Sequence, residues 1–130
     1  MEIQMKKPVQ TDKAPSAIGP YSQGIISGDF LFVSGQLPID PAHGTIIEGN
    51  MGAQTEQILH NLAAVTEAAG TGLANVVKTT IFLKDLGDFA EVNDAYGRFF
   101  KDNPPARSTV QVAALPLNAR IEIEAVVSMV

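Results

Sequence analysis

The sequence predicts an α+β domain: a mixed sheet of five or six strands with two helices packed on one face. Three observations lead there. Apolar residues recur at spacings of three and four in two separate stretches, 52–69 and 88–100. A β-branched run beginning at Val76 is followed by the second of those stretches and then by another strand at Arg107, and this strand–helix–strand step implies a parallel pair with a right-handed crossover. The chain closes on "ARIEIEAVVSMV", whose alternation has the period of a half-buried strand.

The elements follow in order. Residues 1–20, rich in Pro, Lys and Ser, read as an arm leading into the first strand. "GIISGDFLFVSGQ" holds two short apolar runs about Gly28-Asp29, a hairpin signal. "LPIDPAHGTIIEGN" is mostly loop, with only Thr45 to Ile47 offering a short strand. From Gly52 to Ala69 the positions Ile58, Leu59, Leu62, Val65 and Ala69 form one stripe, and Gly70 stands where a left-handed helix cap belongs. "VVKTTIFLK" is a strand. Asp88 and Glu91 have capping-box spacing at the start of a second helix, whose stripe is Phe89, Val92, Tyr96, Phe99 and Phe100. Pro104 and Pro105 cannot continue that helix and deliver the chain in extended form to a strand at Arg107. The last strand begins near Arg120.

Two helices cover one face of such a sheet and leave the other bare. A face bearing Thr79, Ile81, Leu83 or similar residues needs a cover, and closed association with copies of the chain is the economical one, so a homo-oligomer is expected.

Composition narrows the function. The 130 residues make one domain, 1–130, large enough to bury roughly two-thirds of its unfolded surface. Fourteen acidic against nine basic side chains give a charge of −5, which repels phosphate backbones and disfavours nucleic acid as a partner. The absence of cysteine removes disulfides, thiolate nucleophiles and cysteine-bound zinc. No apolar run approaches the roughly 18 residues of a membrane span, and no apolar segment follows Lys6 and Lys7, so a soluble cytoplasmic protein without a membrane partner is expected. His43 and His60 have no second histidine at ligand spacing, "GTG" at 70–72 lacks the rest of a phosphate-binding fingerprint, and no serine lies in G-x-S-x-G.

Charged groups on the last two strands are the remaining lead. Alternation puts Arg107, Thr109 and Gln111 on one side of their strand, and Arg120, Glu122 and Glu124 on one side of theirs. The two strands read as adjacent, and their polar sides are either simply wetted or line a polar cavity.

Five segments carry a resemblance. "AIGPYSQG" (17–24), "FVSGQLPID" (32–40), "VVKTTIFLKDLGDFAEVNDAY" (76–96), "PARSTVQVAALP" (105–116) and "IEIEAV" (121–126) are similar to the RidA (YjgF) family of 2-iminobutanoate/2-iminopropanoate deaminases, across nearly the whole chain. The resemblance implies a chorismate-mutase-like subunit assembled as a homotrimer with clefts between neighbours. It also implies hydrolysis of reactive enamines and imines, such as 2-aminoacrylate, to 2-oxo acids and ammonia, with no cofactor. On this reading Arg107 binds the substrate carboxylate and Glu122 holds the attacking water, while Tyr21, Ser34, Gly35, Asn93 and Thr109 contact substrate. Each of the lesser candidates also has a plainer role: Gly35 can end a strand, Tyr21 can be an ordinary half-buried aromatic, and Asn93 can bond within its helix. Many relatives carry cysteine where Thr109 stands, so thiol chemistry is ruled out at that position. One geometric difficulty follows. Were residues 115–119 a tight hairpin loop, Arg107 would lie about five positions, or roughly 17 Å, from the residue facing Glu122. Either the last two strands are not so paired, or neighbouring subunits complete each site. A small-molecule-binding or regulatory module without turnover, or an RNA-directed activity, is the alternative in another class.

Overall fold

The structure, a computed structural model, describes residues 5–130. Its main sheet has six strands in the order β1 (Lys7–Val9), β2 (Gly24–Ser27), β3 (Phe30–Gln36), β8 (Ile121–Ser128), β6 (Val76–Leu83) and β7 (Ala106–Gln111). Every neighbouring pair is antiparallel except β6 and β7, which run parallel through the helix α2 (Phe89–Phe99). The sheet is therefore mixed, as its connections demand. A separate two-stranded ribbon joins β4 (Ile39–Asp40) to β5 (Thr45–Ile46), and α1 (Met51–Ala68) follows it.

Both helices lie over the same face. The α1 stripe Ile58, Leu59, Leu62 and Val65 is fully buried together with Leu31, Ile81, Leu83, Ile121, Ile123 and Val127 from the sheet. Each such aliphatic side chain contributes roughly 1.5–3 kcal/mol by leaving water. Helix α1 stops in a Schellman motif: Gly70 sits at φ 90°, its N–H donates to the Glu67 carbonyl, and the Thr71 N–H donates to the Thr66 carbonyl. Gly28, at φ 59°, turns β2 into β3 with Ser27 opposite Phe30.

Four expectations need correction. The arm contains a strand, because Lys7 to Val9 pair with the outer edge of β2. The expected capping box does not close: the Asp88 carboxylate turns to Arg120 at 3.6 Å, and Glu91 accepts a bond from the Gly52 N–H at 3.1 Å. Thr79, Ile81 and Leu83 lie under the helices, and the open face carries Phe30 and Phe32, 43% and 48% exposed, together with Phe82, Val110, Glu122 and Glu124. Finally, β7 and β8 are not partners. Both pair with β6, one on each side, and residues 112–120 arch over its end. That arch is held where the Val112 N–H donates to the Leu83 carbonyl and the Lys84 N–H to the Arg120 carbonyl.

Candidate active site

The registers decide which candidate residues can meet. Glu122 lies level with Phe82 of β6 and points to the open face; Arg107 lies level with buried Thr79 and points to the helix side. The two polar sides therefore look in opposite directions across the sheet. Within one chain, Arg107 and Glu122 are separated by roughly 10 Å along the strands and a further 9–10 Å across two strand spacings. The candidates form two groups.

The first group lines a cleft of about 680 Å³ on the open face, where Tyr21, Ser34, Gly35 and Glu122 come together with Glu124 and Leu117. A bulge in β3 builds its floor. Val33 pairs with Ala125 and Gln36 with Ile123, so Ser34 and Gly35 share the space opposite Glu124, the usual way a strand re-aims its groups beside a site. Gly35 has a use different from either expected one. A methyl group there would lie 2.8 Å from Cδ and Oε2 of Glu122, so the missing side chain is the space the carboxyl occupies. Burial pushes the half-buried Glu122 carboxyl above the ordinary value, and the neighbouring Glu124 charge adds to the rise. No ion pair or hydrogen bond relieves it among the described residues. The Ser34 hydroxyl donates to the Ser22 carbonyl, which fixes the wall and uses its proton. Tyr21 is 53% exposed, and its hydroxyl accepts from the Ile18 N–H at 3.3 Å.

The second group surrounds Arg107 at the β7 edge. Its guanidinium lies 5.0 Å from the Tyr96 ring centre and 5.4 Å from that of Phe89, both on α2. Tyr96 is itself held by a 2.7 Å bond between its hydroxyl and Thr79. No acidic partner for Arg107 is found among the described residues. Asn93 is half-buried, four residues after Phe89 and three before Tyr96, hence on the helix side that faces the guanidinium. Thr109 follows Arg107 on the same side of β7, and its Oγ1 is buried without a hydrogen-bond partner among the described residues. A buried hydroxyl left unbonded is costly, so this atom has capacity for a ligand.

One structural residue escaped the sequence reading. Buried Gln23 accepts from the Thr11 N–H and donates to the carbonyls of Thr11, Ala14 and Pro15, which ties the segment beside the cleft to β2. Its only sequence signal is a glutamine in an otherwise small and apolar strand entry.

An α+β fold with helices on one face of its sheet and a carboxyl-bearing cleft on the other defines the class. The family model described as Endoribonuclease L-PSP matches residues 11–129, and the chain belongs to that family, also called RidA or YjgF. It is 55% identical to the RutC family protein y4sK of Sinorhizobium fredii, covering 96% of this chain and 99% of that one. It is 45% identical to human 2-iminobutanoate/2-iminopropanoate deaminase, covering 97% and 92%. The structure of E. coli TdcF with bound serine superposes with a TM-score of 0.89 at 42% identity, covering 94% of this chain and 98% of that chain.

Proposed function

We propose that this protein hydrolyses small 2-imino acids to 2-oxo acids and ammonia, as a homotrimer in which Arg107 of one subunit meets Glu122 of the next. One observation carries the reading: a guanidinium and a half-buried carboxyl, neither with an ionic partner among the described residues, on opposite faces of one sheet. Neither half is a site alone. The exposed Phe30, Phe32 and Val110 on the open face supply the apolar contact that would join them. A relative named as an iminobutanoate/iminopropanoate deaminase, and another holding serine, a small amino acid, agree with the substrate class.

The chemistry follows from the groups. Arg107 offers a planar fork to the substrate carboxylate, and Asn93 and the unbonded Thr109 hydroxyl offer further polar contacts. Tyr21 walls the other side. Water held by Glu122 adds to C2 of the protonated imine as the carboxylate takes its proton, giving a tetrahedral amino alcohol. Return of that proton to nitrogen lets the C–N bond break, and ammonia leaves as the C2 hydroxyl becomes the ketone, its proton passing to the Glu122 carboxylate and from there to the departing ammonia. The sum is imine plus water to 2-oxo acid plus ammonia, with no change of oxidation state. A carboxyl whose pKa is raised serves both directions of this transfer better than an ordinary one. Most of the acceleration comes from holding water and C2 together.

The RNA-directed reading is less well supported, since Glu122 and Glu124 in the cleft and a net charge of −5 oppose a phosphate backbone. The test generates 2-aminoacrylate with a pyridoxal-phosphate dehydratase and follows 2-oxo acid release with wild type, Arg107→Ala and Glu122→Gln. Arg107→Ala should cost about 10- to 100-fold through the lost charged hydrogen bonds. Equal release by all three, or a fully active monomer in sedimentation, would defeat the proposal.

A further inference from the structure

We infer that Leu117, with Ile18, forms an apolar lip that selects 2-imino acids with aliphatic side chains of three or more carbons over 2-iminopropanoate. The inference rests on the deaminase reading and names the substrate class of that same cleft.

Size comes first. A cleft of about 680 Å³ lies in the range of roughly 300–1,000 Å³ that encloses ligands several times larger than a three-carbon acid. The neighbouring subunit that brings Arg107 takes part of that volume. The lining is also two-sided. Ser34, Gly35, Glu122 and Glu124 make the polar floor, whereas Pro15, Ile18, Ile39, Pro116 and Leu117 supply apolar surface.

Two of those apolar residues are displayed rather than packed. Ile18 is 88% and Leu117 is 68% exposed, yet both border the cleft. A scattered exposed aliphatic needs no explanation, but Leu117 is held there against its own backbone preference. It sits at φ 57° and ψ 24°, a left-handed conformation unfavourable for a branched side chain. Asn118 follows at φ 55°, a residue far better suited to that region. The strain is maintained by bonds on both sides: the Ala119 N–H donates to the Pro116 carbonyl at 3.1 Å, and Lys84 Nζ donates to Asn118 Oδ1 at 2.9 Å. Backbone strain held by its surroundings is a feature of ligand clamps. The opposite wall is equally fixed. Ile18 is tied through its N–H to the Tyr21 hydroxyl, and Gln23 anchors the preceding residues.

With C2 beside Glu122 and the carboxylate on Arg107, the third substituent of the imine is the only one left to meet this lip. A three-carbon imine presents only a lone methyl group to it. A leucine-derived imine carries an isobutyl group, and each added methylene in an apolar pocket is worth up to about tenfold or more in kcat/KM.

The experiment generates 2-iminopropanoate and 2-imino-4-methylpentanoate from alanine and leucine with an amino-acid oxidase. Trapping with semicarbazide measures how fast the protein removes each. Wild type should favour the leucine-derived imine by about tenfold or more. Leu117→Gly suits the left-handed backbone, so it removes the side chain without endangering the fold, and it should lower that ratio about tenfold. Ile18→Ser should lower it in the same direction. A ratio near one in wild type, or a ratio unchanged in both variants, would overturn the lip. If wild type removes neither imine, the deaminase reading falls separately. Calorimetric binding of pyruvate and 4-methyl-2-oxopentanoate then decides the lip: a preference for the longer acid that Leu117→Gly abolishes supports it, and equal affinities overturn it.

Discussion

Gly35→Ala isolates the contact on which Glu122 depends. The backbone at Gly35 does not lie in the left-handed region, so alanine brings no conformational penalty of its own. Its methyl carbon would, however, stand 2.8 Å from Cδ and Oε2 of Glu122. Comfortable packing needs about 3.5 Å or more, so the carboxyl must retreat by roughly 0.7 Å. Because Glu122 is half-buried at the cleft, its side chain moves and the sheet stays; the stability change should stay within about 1 kcal/mol. A misplacement of about 1 Å costs on the order of 100-fold in a positioned reaction, so kcat should fall about 10- to 100-fold, equivalent to about 1.4–2.7 kcal/mol. The assay is 2-oxo acid release, run beside urea denaturation of the same samples. Glu122→Asp shortens the side chain and vacates the contested space. Adding Gly35→Ala to Glu122→Asp should therefore cost much less than adding it to wild type, a coupling read from the double-mutant cycle. Wild-type kcat in Gly35→Ala, or the same fractional loss in both backgrounds, would refute the argument that Gly35 exists to seat this carboxyl.

Four further outcomes are expected. Because burial and Glu124 hold the Glu122 pKa up, the acid limb of kcat/KM should lie above the ordinary carboxylate range, and Glu124→Gln should shift it to lower pH. The same raised pKa means the unfolded chain releases this proton first, so the contribution of Glu122 to stability is present at low pH and lost as pH rises through its folded pKa; Glu122→Gln should raise the melting temperature at pH 7.5 but not below about pH 4. Gln23→Leu removes bonds to Thr11, Ala14 and Pro15 at once and should cost about 2 kcal/mol or more in urea denaturation, with the cleft wall loosened. Phe32→Lys places a charge on the open face and should yield smaller assemblies in sedimentation, with activity falling in proportion.

Much of the fold was legible because its signals are local and periodic. Ile58, Leu59, Leu62 and Val65 repeat on one helical face, Gly70 marks the end of α1, and Ile121, Ile123, Ala125 and Val127 alternate into the core. What escaped depended on partners distant in sequence. Lys7–Val9 contains a proline and only three residues, and it becomes a strand only because it lies at the sheet edge, where a missing N–H is tolerated. Asp88 and Glu91 have the spacing of a capping box, yet Arg120 and the Gly52 N–H compete successfully for their carboxylates. Spacing cannot report such competition.

The candidate site follows the same division. Alternation correctly grouped Arg107 with Thr109 and Glu122 with Glu124, but which way each strand faces is set by its place in the sheet, and the insertion of β6 between them reverses the simple picture. That reversal leaves Arg107 beside aromatic rings instead of a carboxylate, which gives its position an energetic meaning. Contact with Phe89 and Tyr96 is worth about 0.5–1 kcal/mol each where water still reaches the charge, enough to hold the guanidinium in place. A carboxylate brings charged hydrogen bonds of about 1.5–3 kcal/mol, which exceed what the rings offer and use N–H groups that the rings leave free. Glu122, held on the other side of the sheet, cannot pair with the arginine of its own chain, and the proposed reaction would bring the guanidinium a substrate carboxylate instead.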